Sequence, residues 1–489
     1  AQTKKARVTP PSCFHDIWLI LLLAAKHSGM RLHARNHLPS AYNNTQGGAS
    51  AMREWIAAFA RKAGNYVPDA AASAVIMLFA LAGTSLALGD NLLTNVDAFY
   101  RGLWMLLPFS MQMTLILVLS TVLSLTAVFR RAIRRLADLP RTVTQVIALA
   151  VCVNSILSYL YWGLGLAMGP LIAVYFAEAA ERKGLRVDFP FLLATVFAAG
   201  SVWQFGLSST AALLAATPGN FLEQEAGVMA LGTTIGSLPA LMVTLVFPLS
   251  LILLARYLMP QQVQPISAFP AAAALAQPAA EPDPAVGTGA AGFSGWTERT
   301  FLFPFLLGIA LVAWLYHHFV NKGLGLELNS MVTVLLLLAL LMQRSFGAFS
   351  RAMARAVVSC WPVIVLYQLY GGVAGVLQFT RVGSWFAQVF ADLATPLTFP
   401  LLTAVGASII AIFVPSSGGQ WIIQGFVTVT SANALGATPQ QGLLALGVGD
   451  QMGNLLAPFW VVVAAGIARI DFREIFGHLV VFAALWFVV

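Results

Sequence analysis

Long apolar runs separated by short polar or basic segments dominate this chain from about residue 70 onward. Several of them exceed the ~20 apolar residues that a helix needs to cross a bilayer. The pattern therefore predicts an all-α polytopic membrane protein. The apolar runs cover residues 71–89, 103–127, 143–179, 190–217, 229–255, 301–320, 328–343, 356–378, 398–433, 441–466 and 473–489.

A polar, glycine-bearing break interrupts the apolar run 398–433 between Phe413 and Gly425. In lipid every backbone polar group needs an internal partner, so such a break survives only where protein covers it or where it lines a watery cavity. We interpret run 398–433 as a re-entrant helical hairpin whose tip binds substrate. The candidate substrate-binding residues at this tip are Pro415, Ser416, Ser417, Gly418, Gly419 and Gln420.

Run 143–179 corresponds to this hairpin in the first half of the chain. It has its own polar break at Tyr161–Gly165. Each hairpin is followed by a span with a second predicted break, at Gly200–Thr210 in the first half and at Gly447–Asn454 in the second. The order is the same in both halves and the membrane side is opposite, which indicates inverted repeats with a mid-membrane site between them. We expect the four polar breaks to converge.

The repeats give the predicted domain organisation. It consists of a non-family N-terminal extension, disordered or artefactual, at 1–51; a first repeat at 52–257; a cytoplasmic Ala/Pro/Gly-rich linker at 258–298; and a connecting span plus the second inverted repeat at 299–489.

Basic residues set the orientation of the chain. Suppose that the region around Met52 is cytoplasmic and that each hairpin enters and leaves the membrane on a single side. Nearly all Lys and Arg residues beyond position 51 then fall on the cytoplasmic side. The exceptions are Arg101, Lys322 and Arg381. The positive-inside rule supports this topology. Two complete crossings in each hairpin run would give the same parity, so charge alone does not establish re-entrance.

Composition narrows the function classes. With 59% hydrophobic and 9% charged residues, the chain is not a soluble enzyme. The net charge of +8 is scattered over the ends of apolar runs and marks loops rather than a nucleic-acid surface. The three cysteines have no metal or disulfide spacing. We expect no cofactor other than a coupling Na⁺ or H⁺.

No Lys or Arg lies in the middle of a hairpin or broken span, so a bound carboxylate would be held by helix N-termini, backbone N–H groups and hydroxyls. Asp450 is the one carboxylate placed well inside a span, where an ionisable group usually marks an ion or proton path. The other candidate substrate-binding residues are Trp162, Gly163, Gly165, Ser208, Ser209 and Thr210. The candidate coupling-ion residues are Asp450, Asn454, Asn154 and Gln451.

Four strings resemble the bacterial short-chain fatty acid transporter family, the acetoacetate and butyrate carriers. They are Tyr66–Asp69, Leu214–Asn220, Val414–Trp421 followed by Gln424–Gly425, and Ala457–Trp460. The likeness extends from about Met52 to the C-terminus, with departures at Ser417 and Phe426. The resemblance implies ion-coupled symport of short monocarboxylates by alternating access in the bacterial inner membrane. More distantly, the chain resembles hairpin-containing carboxylate carriers, which implies membrane-lipid contacts and a homodimer.

Three alternatives stay open on the sequence. The first is a carrier for dicarboxylate or amino-acyl carboxylate substrates, although the breaks offer no cation for a second anionic group. The second is an anion channel of the same architecture. The third is an intramembrane enzyme with Ser416 or Ser417 as nucleophile, which lacks a histidine at comparable depth to act as a base.

Overall fold

The computed structural model describes residues 70–105, 107–217, 219–220, 222–276, 292–358 and 360–489. The predicted N-terminal extension at 1–51 and part of the predicted linker lie outside these ranges. The described chain is helical and contains no strand. Its α-helices are α1 (Ala70–Ala87), α2 (Leu92–Met105), α3 (Leu107–Ser124), α4 (Ala127–Ala137), α5 (Val143–Leu160), α6 (Trp162–Arg182), α7 (Phe189–Ala199), α8 (Thr210–Ala216), α9 (Glu223–Ala226), α10 (Leu238–Leu258), α11 (Pro270–Ala276), α12 (Phe293–Arg299), α13 (Leu302–Tyr316), α14 (Leu328–Gln343), α15 (Phe346–Val357), α16 (Trp361–Phe379), α17 (Arg381–Leu393), α18 (Phe399–Phe413), α19 (Ser417–Leu435), α20 (Pro439–Leu456), α21 (Pro458–Ala468) and α22 (Arg473–Val488).

Helices α5 and α6 fold back on one another around a single extended residue, Tyr161, which has φ −158° and ψ 116°. Two glycines of α6 allow the close approach. A Cβ on Gly169 would lie 3.1 Å from Asn154 Nδ2, and a Cβ on Gly165 would overlap the Ser158 side chain. Residues about equally far before and after Tyr161 therefore face each other, as in a helical hairpin.

Helices α18 and α19 form the second hairpin, with Val414–Ser416 between them. Pro415 has no backbone N–H, so it cannot extend the hydrogen bonding of α18. The Ser416 side chain caps α19 by accepting a hydrogen bond from Gly419 N–H at 3.2 Å. Gln420 Nε2 reaches back to the Ala407 carbonyl at 2.8 Å, which ties the two arms together.

Both repeats contain the predicted broken span after the hairpin. In the first, α7 passes into a 3-10 turn at Gly200–Phe205 and resumes as α8. In the second, α20 and α21 are bent by 52° at Ala457. The predicted break at Gly447–Asn454 is wrong, because those residues are helical. The glycines there serve packing: a Cβ on Gly449 or Gly453 would collide with the α18 backbone or side chains.

Two large hydrophobic clusters organise the described helices. One joins α5, α6, α7, α10 and α22, and the other joins α1, α2, α3, α14 and α16. Six helices are long and apolar enough to cross a membrane, or up to eight if each bent pair counts as one span. These counts refer to the described residues and agree with a multi-pass membrane fold.

The segment after α10 is more ordered than its composition suggested. Ile266 and Ala272 are buried in the cluster around α6, and Phe269 lies 5.6 Å from the Phe189 ring, centroid to centroid. Both Asp188 carboxylate oxygens accept backbone N–H bonds, one of them from Gln264 at 2.9 Å. Alanine and proline therefore do form a packed structure here, because side chains of the first repeat provide the partners.

Candidate functional site

A cavity of about 70 Å³ lies where the two hairpin tips meet. Its wall includes residues of both hairpins, both broken spans and the helices α3 and α16. None of these residues is Lys, Arg, His, Asp or Glu. The lining residues are Met113, Asn154, Ser158, Trp162, Gly165, Leu166, Phe197, Gly200, Ser201, Trp203, Thr210, Tyr367, Pro415, Ser416, Ser417, Gln451, Asn454 and Trp460.

The short segment Gly206–Thr210 joins the two hairpin tips. Trp162 N–H, at the start of α6, donates to Ser208 Oγ at 2.8 Å. Gly418 N–H, in the first turn of α19, donates to Thr210 Oγ1 at 3.0 Å. Each hairpin thus donates a backbone N–H from the start of its second helix to a hydroxyl of the same segment, which holds the two tips in a fixed relation.

Three cavity-lining hydroxyls share one hydrogen-bonding pattern. Each oxygen accepts an N–H bond from the protein, and within the described residues none of the three donates its own proton. The bonds are Gln451 Nε2 to Ser201 Oγ (2.9 Å), Gly418 N to Thr210 Oγ1 (3.0 Å) and Gln204 Nε2 to Ser417 Oγ (3.0 Å). The direction of the bond is set by the backbone at Thr210, where the donor is the Gly418 N–H, so the Thr210 proton is left to bond a group inside the cavity. Ser201 and Ser417 bond side-chain amides and place two further hydroxyls on the same cavity. An anion is the ligand that such protons favour.

A second group of side chains offers only oxygens. The amide oxygens of Asn154, Gln451 and Asn454 are buried and lack a partner within the described residues. The orientation of the Asn154 amide is fixed, because its nitrogen donates to the Val196 carbonyl at 2.6 Å. Asp450 is fully buried behind them and accepts from Asn454 Nδ2 at 2.9 Å, while its second oxygen has no described partner. Oxygen-only groups of this kind suit a hard cation or a proton.

Tryptophan rings form much of the apolar wall. The Trp162 ring lies 6.2 Å from Trp203 and 5.8 Å from Trp460, measured between ring centroids. Trp460 Nε1 donates to the Pro415 carbonyl at 2.7 Å, which anchors the second hairpin tip to α21. Trp162 Nε1 is buried and has no partner in the described chain, so it is a further donor available to a ligand.

The structure brings many of the sequence-predicted residues to the cavity and leaves others behind it. Trp162, Gly165, Thr210, Pro415, Ser416, Ser417, Asn154, Gln451 and Asn454 line the wall. The predicted residues that do not line it are Gly163, Ser208, Ser209, Gly418, Gly419, Gln420 and Asp450. Several of these residues stabilise the site without lining it. Gly418 and Ser208 form the hydrogen bonds that hold the two tips, and Gln420 bonds the first arm of the second hairpin.

Sequence reasoning did not name nine of the lining residues as site residues, although Gly200, Ser201 and Trp203 lie in the predicted break Gly200–Thr210. The nine are Met113, Ser158, Leu166, Phe197, Gly200, Ser201, Trp203, Tyr367 and Trp460. Ser158 could have been found, because it lies one helical turn after Asn154 on the same face of α5. Tyr367 could not, because it lies inside an apolar helix that has no polar break. It reaches the second tip only through the packing of α16 against the hairpin.

A family model described as "Short chain fatty acid transporter" matches residues 51–489. The chain belongs to the short-chain fatty acid transporter family. The match begins where the resemblance in the sequence was expected to begin, at about Met52.

Two curated relatives carry names for short-chain fatty acid transport. The protein from Escherichia coli K12 is 29% identical over 379 residues, covering 78% of this chain and 84% of its own length. The protein from Haemophilus influenzae Rd is 29% identical over 420 residues, covering 84% and 92%.

Two solved structures are similar over most of their length. MtrF of Neisseria gonorrhoeae, described as one of a class of antimetabolite efflux pumps, has a TM-score of 0.48 and 17% identity, covering 90% of this chain and 97% of MtrF. The YdaH transporter of Alcanivorax borkumensis has a TM-score of 0.44 and 15% identity, covering 86% and 96%.

Family membership settles the class of this member. It is a transporter and not an enzyme, so the alternative of an intramembrane serine nucleophile is wrong. It is a multi-pass protein of the bacterial inner membrane.

Proposed function

We propose that this transporter takes up short-chain monocarboxylates, with acetoacetate and butyrate as its substrates, by ion-coupled alternating access. The observation that carries the proposal is the set of hydroxyls Ser201, Thr210 and Ser417. Thr210 Oγ1 accepts a backbone N–H, which leaves its proton for a ligand, and the Ser201 and Ser417 hydroxyls line the same cavity. In a cavity without a charged wall, these neutral donors bind an anion and still release it, whereas a bidentate arginine would hold it more tightly.

The size of the cavity supports a small substrate. A cavity of about 70 Å³ is larger than the ~10–15 Å³ that a single water needs and is small for a binding site. It suits a small molecule such as butyrate or acetoacetate better than a bulky one. The tryptophan rings cover the short alkyl chain while the hydroxyls bind the carboxylate.

No Lys, Arg or His is among the described residues that line the cavity, which argues against a dicarboxylate. A second carboxylate in the same cavity would need further donors, and the oxygens of Asn154, Gln451 and Asn454 would repel it. Monocarboxylates are therefore the better fit among carboxylate substrates.

The same oxygens support coupling to a cation, Na⁺ or H⁺. We propose that Asp450, Asn454, Asn154 and Gln451 form the coupling-ion site next to the bound substrate, since Gln451 also donates to the cavity-lining Ser201 Oγ at 2.9 Å. A cation bound there would attract the substrate carboxylate across a cavity of low dielectric, so that the two bind together. This attraction is the physical basis proposed for symport.

Movement of the site completes the proposal. Both hairpins dip partway into the bilayer from opposite sides, and the site between their tips opens to each side in turn. The hydrogen bonds of Gly206–Thr210 to both tips would make the tips move as one body.

Uptake of radiolabelled butyrate and acetoacetate into proteoliposomes tests the function. We expect saturable uptake that rises with an imposed inward Na⁺ or proton gradient, and the gradient that works identifies the cation. Competition by unlabelled succinate tests the substrate class. Strong inhibition by succinate with none by butyrate would overturn the proposal, and non-saturable flux without ion dependence would favour a channel.

A further inference from the structure

Two amphipathic helices begin close together at the same end of α3. Helix α4 starts three residues after α3 ends. Helix α15 starts three residues after α14 ends, and the last residue of α14 is tied to α3 by a bond from Gln343 Nε2 to the Val122 carbonyl at 3.2 Å. Neither helix was predicted from the apolar runs. Both have apolar residues on one face and arginines on the other.

Each helix packs its apolar face onto the protein. In α4, Phe129, Ile133 and Ala137 recur every four residues and face the hydrophobic clusters. In α15, Phe349 and Ala352 face the cluster that includes α3. The orientation of both helices is therefore fixed by packing, and the opposite face of each is left to the surroundings.

The exposed faces combine arginines with aliphatic side chains. On α4 the exposed residues Val128, Arg131 and Arg135 are spaced at helical intervals, and Leu139 follows. On α15 the exposed Arg351 and Arg355 are followed by Val358, which is 75% exposed. Bare aliphatic groups beside cations are unfavourable in bulk water but suit the boundary between acyl chains and head groups.

The arginines of these faces lack carboxylate partners. Within the described residues, Arg131, Arg135, Arg351 and Arg355 form no ion pair. The nearby Asp138 is already paired with Arg182 at 2.8 Å. Glu298 lies beside Arg351 around Gly347 without forming an ion pair with it. Four guanidinium groups at one end of α3 therefore produce a surface with an excess of positive charge, which we call the arginine platform.

We propose that the arginine platform is a docking surface for the head groups of acidic phospholipids. The aliphatic residues would enter the upper acyl region, and the long arginine side chains would extend to the phosphates. Guanidinium binds phosphate with two parallel N–H bonds, so the platform would retain specific acidic lipids rather than merely face the membrane. Lipid bound there would fix the end of α3, whose residue Met113 lines the cavity.

Native mass spectrometry of protein extracted from vesicles of phosphatidylcholine and phosphatidylglycerol tests this proposal. The wild-type protein is expected to retain phosphatidylglycerol preferentially. A variant with Arg131→Gln, Arg135→Gln, Arg351→Gln and Arg355→Gln should lose about tenfold or more of that preference, because each basic residue near an acidic surface strengthens binding roughly fivefold.

Two controls separate charge from damage to the fold. The four matching Arg→Lys substitutions keep the charge but not the paired N–H bonds, so they should retain more of the preference than the glutamine variant and less than the wild-type protein. Lys322→Gln removes a distant exposed cation and should change nothing. Equal retention of both lipids by the wild-type protein would overturn the proposal. So would full retention by the four-glutamine variant. The readout does not depend on substrate, so failure here would leave the proposed transport function untouched.

Discussion

Thr210 offers the sharpest test of how a carboxylate is held. Its hydroxyl oxygen accepts from Gly418 N–H at 3.0 Å, and its proton has no described protein acceptor. Thr210→Val keeps the shape of the side chain and removes both roles. We expect weaker substrate binding, since a hydrogen bond to a charged group contributes about 1.5–3 kcal/mol.

That free energy corresponds to a rise of roughly 10- to 100-fold in KM for butyrate, at about 1.4 kcal/mol for each factor of ten. Thr210→Ser keeps the hydroxyl and should stay within about threefold of the wild-type KM. The assay is initial uptake into proteoliposomes across a range of butyrate concentrations, with equilibrium binding to the purified protein as a second measure of affinity.

A matched control is Thr403→Val, which removes a buried, unpartnered hydroxyl of α18 that does not line the cavity. It should leave KM unchanged. A competing account also predicts a distinct result for Thr210→Val. If the freed Gly418 N–H binds the carboxylate directly, KM should fall. A lower or unchanged KM in Thr210→Val, with wild-type thermal stability, would refute the hydroxyl mechanism.

The remaining predictions concern the ion site, the packing and the tip. Asp450→Asn should abolish the response of uptake to the coupling gradient, measured by imposing Na⁺ or pH gradients, and a wild-type rate with intact ion dependence would rule Asp450 out. Gly449→Ala should lower the melting temperature of the purified protein, because overpacking costs about 1–3 kcal/mol; Gly466→Ala, where a Cβ meets nothing within 4 Å, should not. Trp460→Phe removes the 2.7 Å bond to the Pro415 carbonyl and should raise the butyrate KM about fivefold, since that bond contributes ~1 kcal/mol. An unchanged KM would show that the tip does not need this anchor.

The membrane fold could be predicted because its main signal is length of apolar sequence. Lipid imposes internal backbone bonding, so the breaks at Tyr161 and Pro415 stand out against their surroundings. Glycine was a weaker guide. The Gly447–Gly453 string looked like a break, yet Gly449 and Gly453 allow α20 to approach α18, and the helix ends only at Leu456. Spacing alone does not separate these two uses of glycine.

Site residues could be predicted only where a polar residue interrupts an apolar run. The tip hydroxyls and Asn154 are polar residues in apolar runs, whereas Tyr367 and Met113 enter the wall through tertiary packing that no local pattern records. Amphipathic helices α4 and α15 were missed for a related reason. Their arginines were assigned to loops, although a helical period joins them to buried residues such as Phe129 and Ile133.

Substrate protection of a single cysteine tests the central claim most directly, namely that a carboxylate binds in the uncharged cavity between the hairpin tips. Ser158→Cys would be placed in a protein whose native Cys13, Cys152 and Cys360 are replaced by serine, and its reaction with a small methanethiosulfonate would be timed. Saturating butyrate should slow the reaction at position 158 and leave Leu139→Cys, an exposed site away from the cavity, unaffected. An unchanged rate at position 158, in a variant that still transports butyrate, would contradict the account.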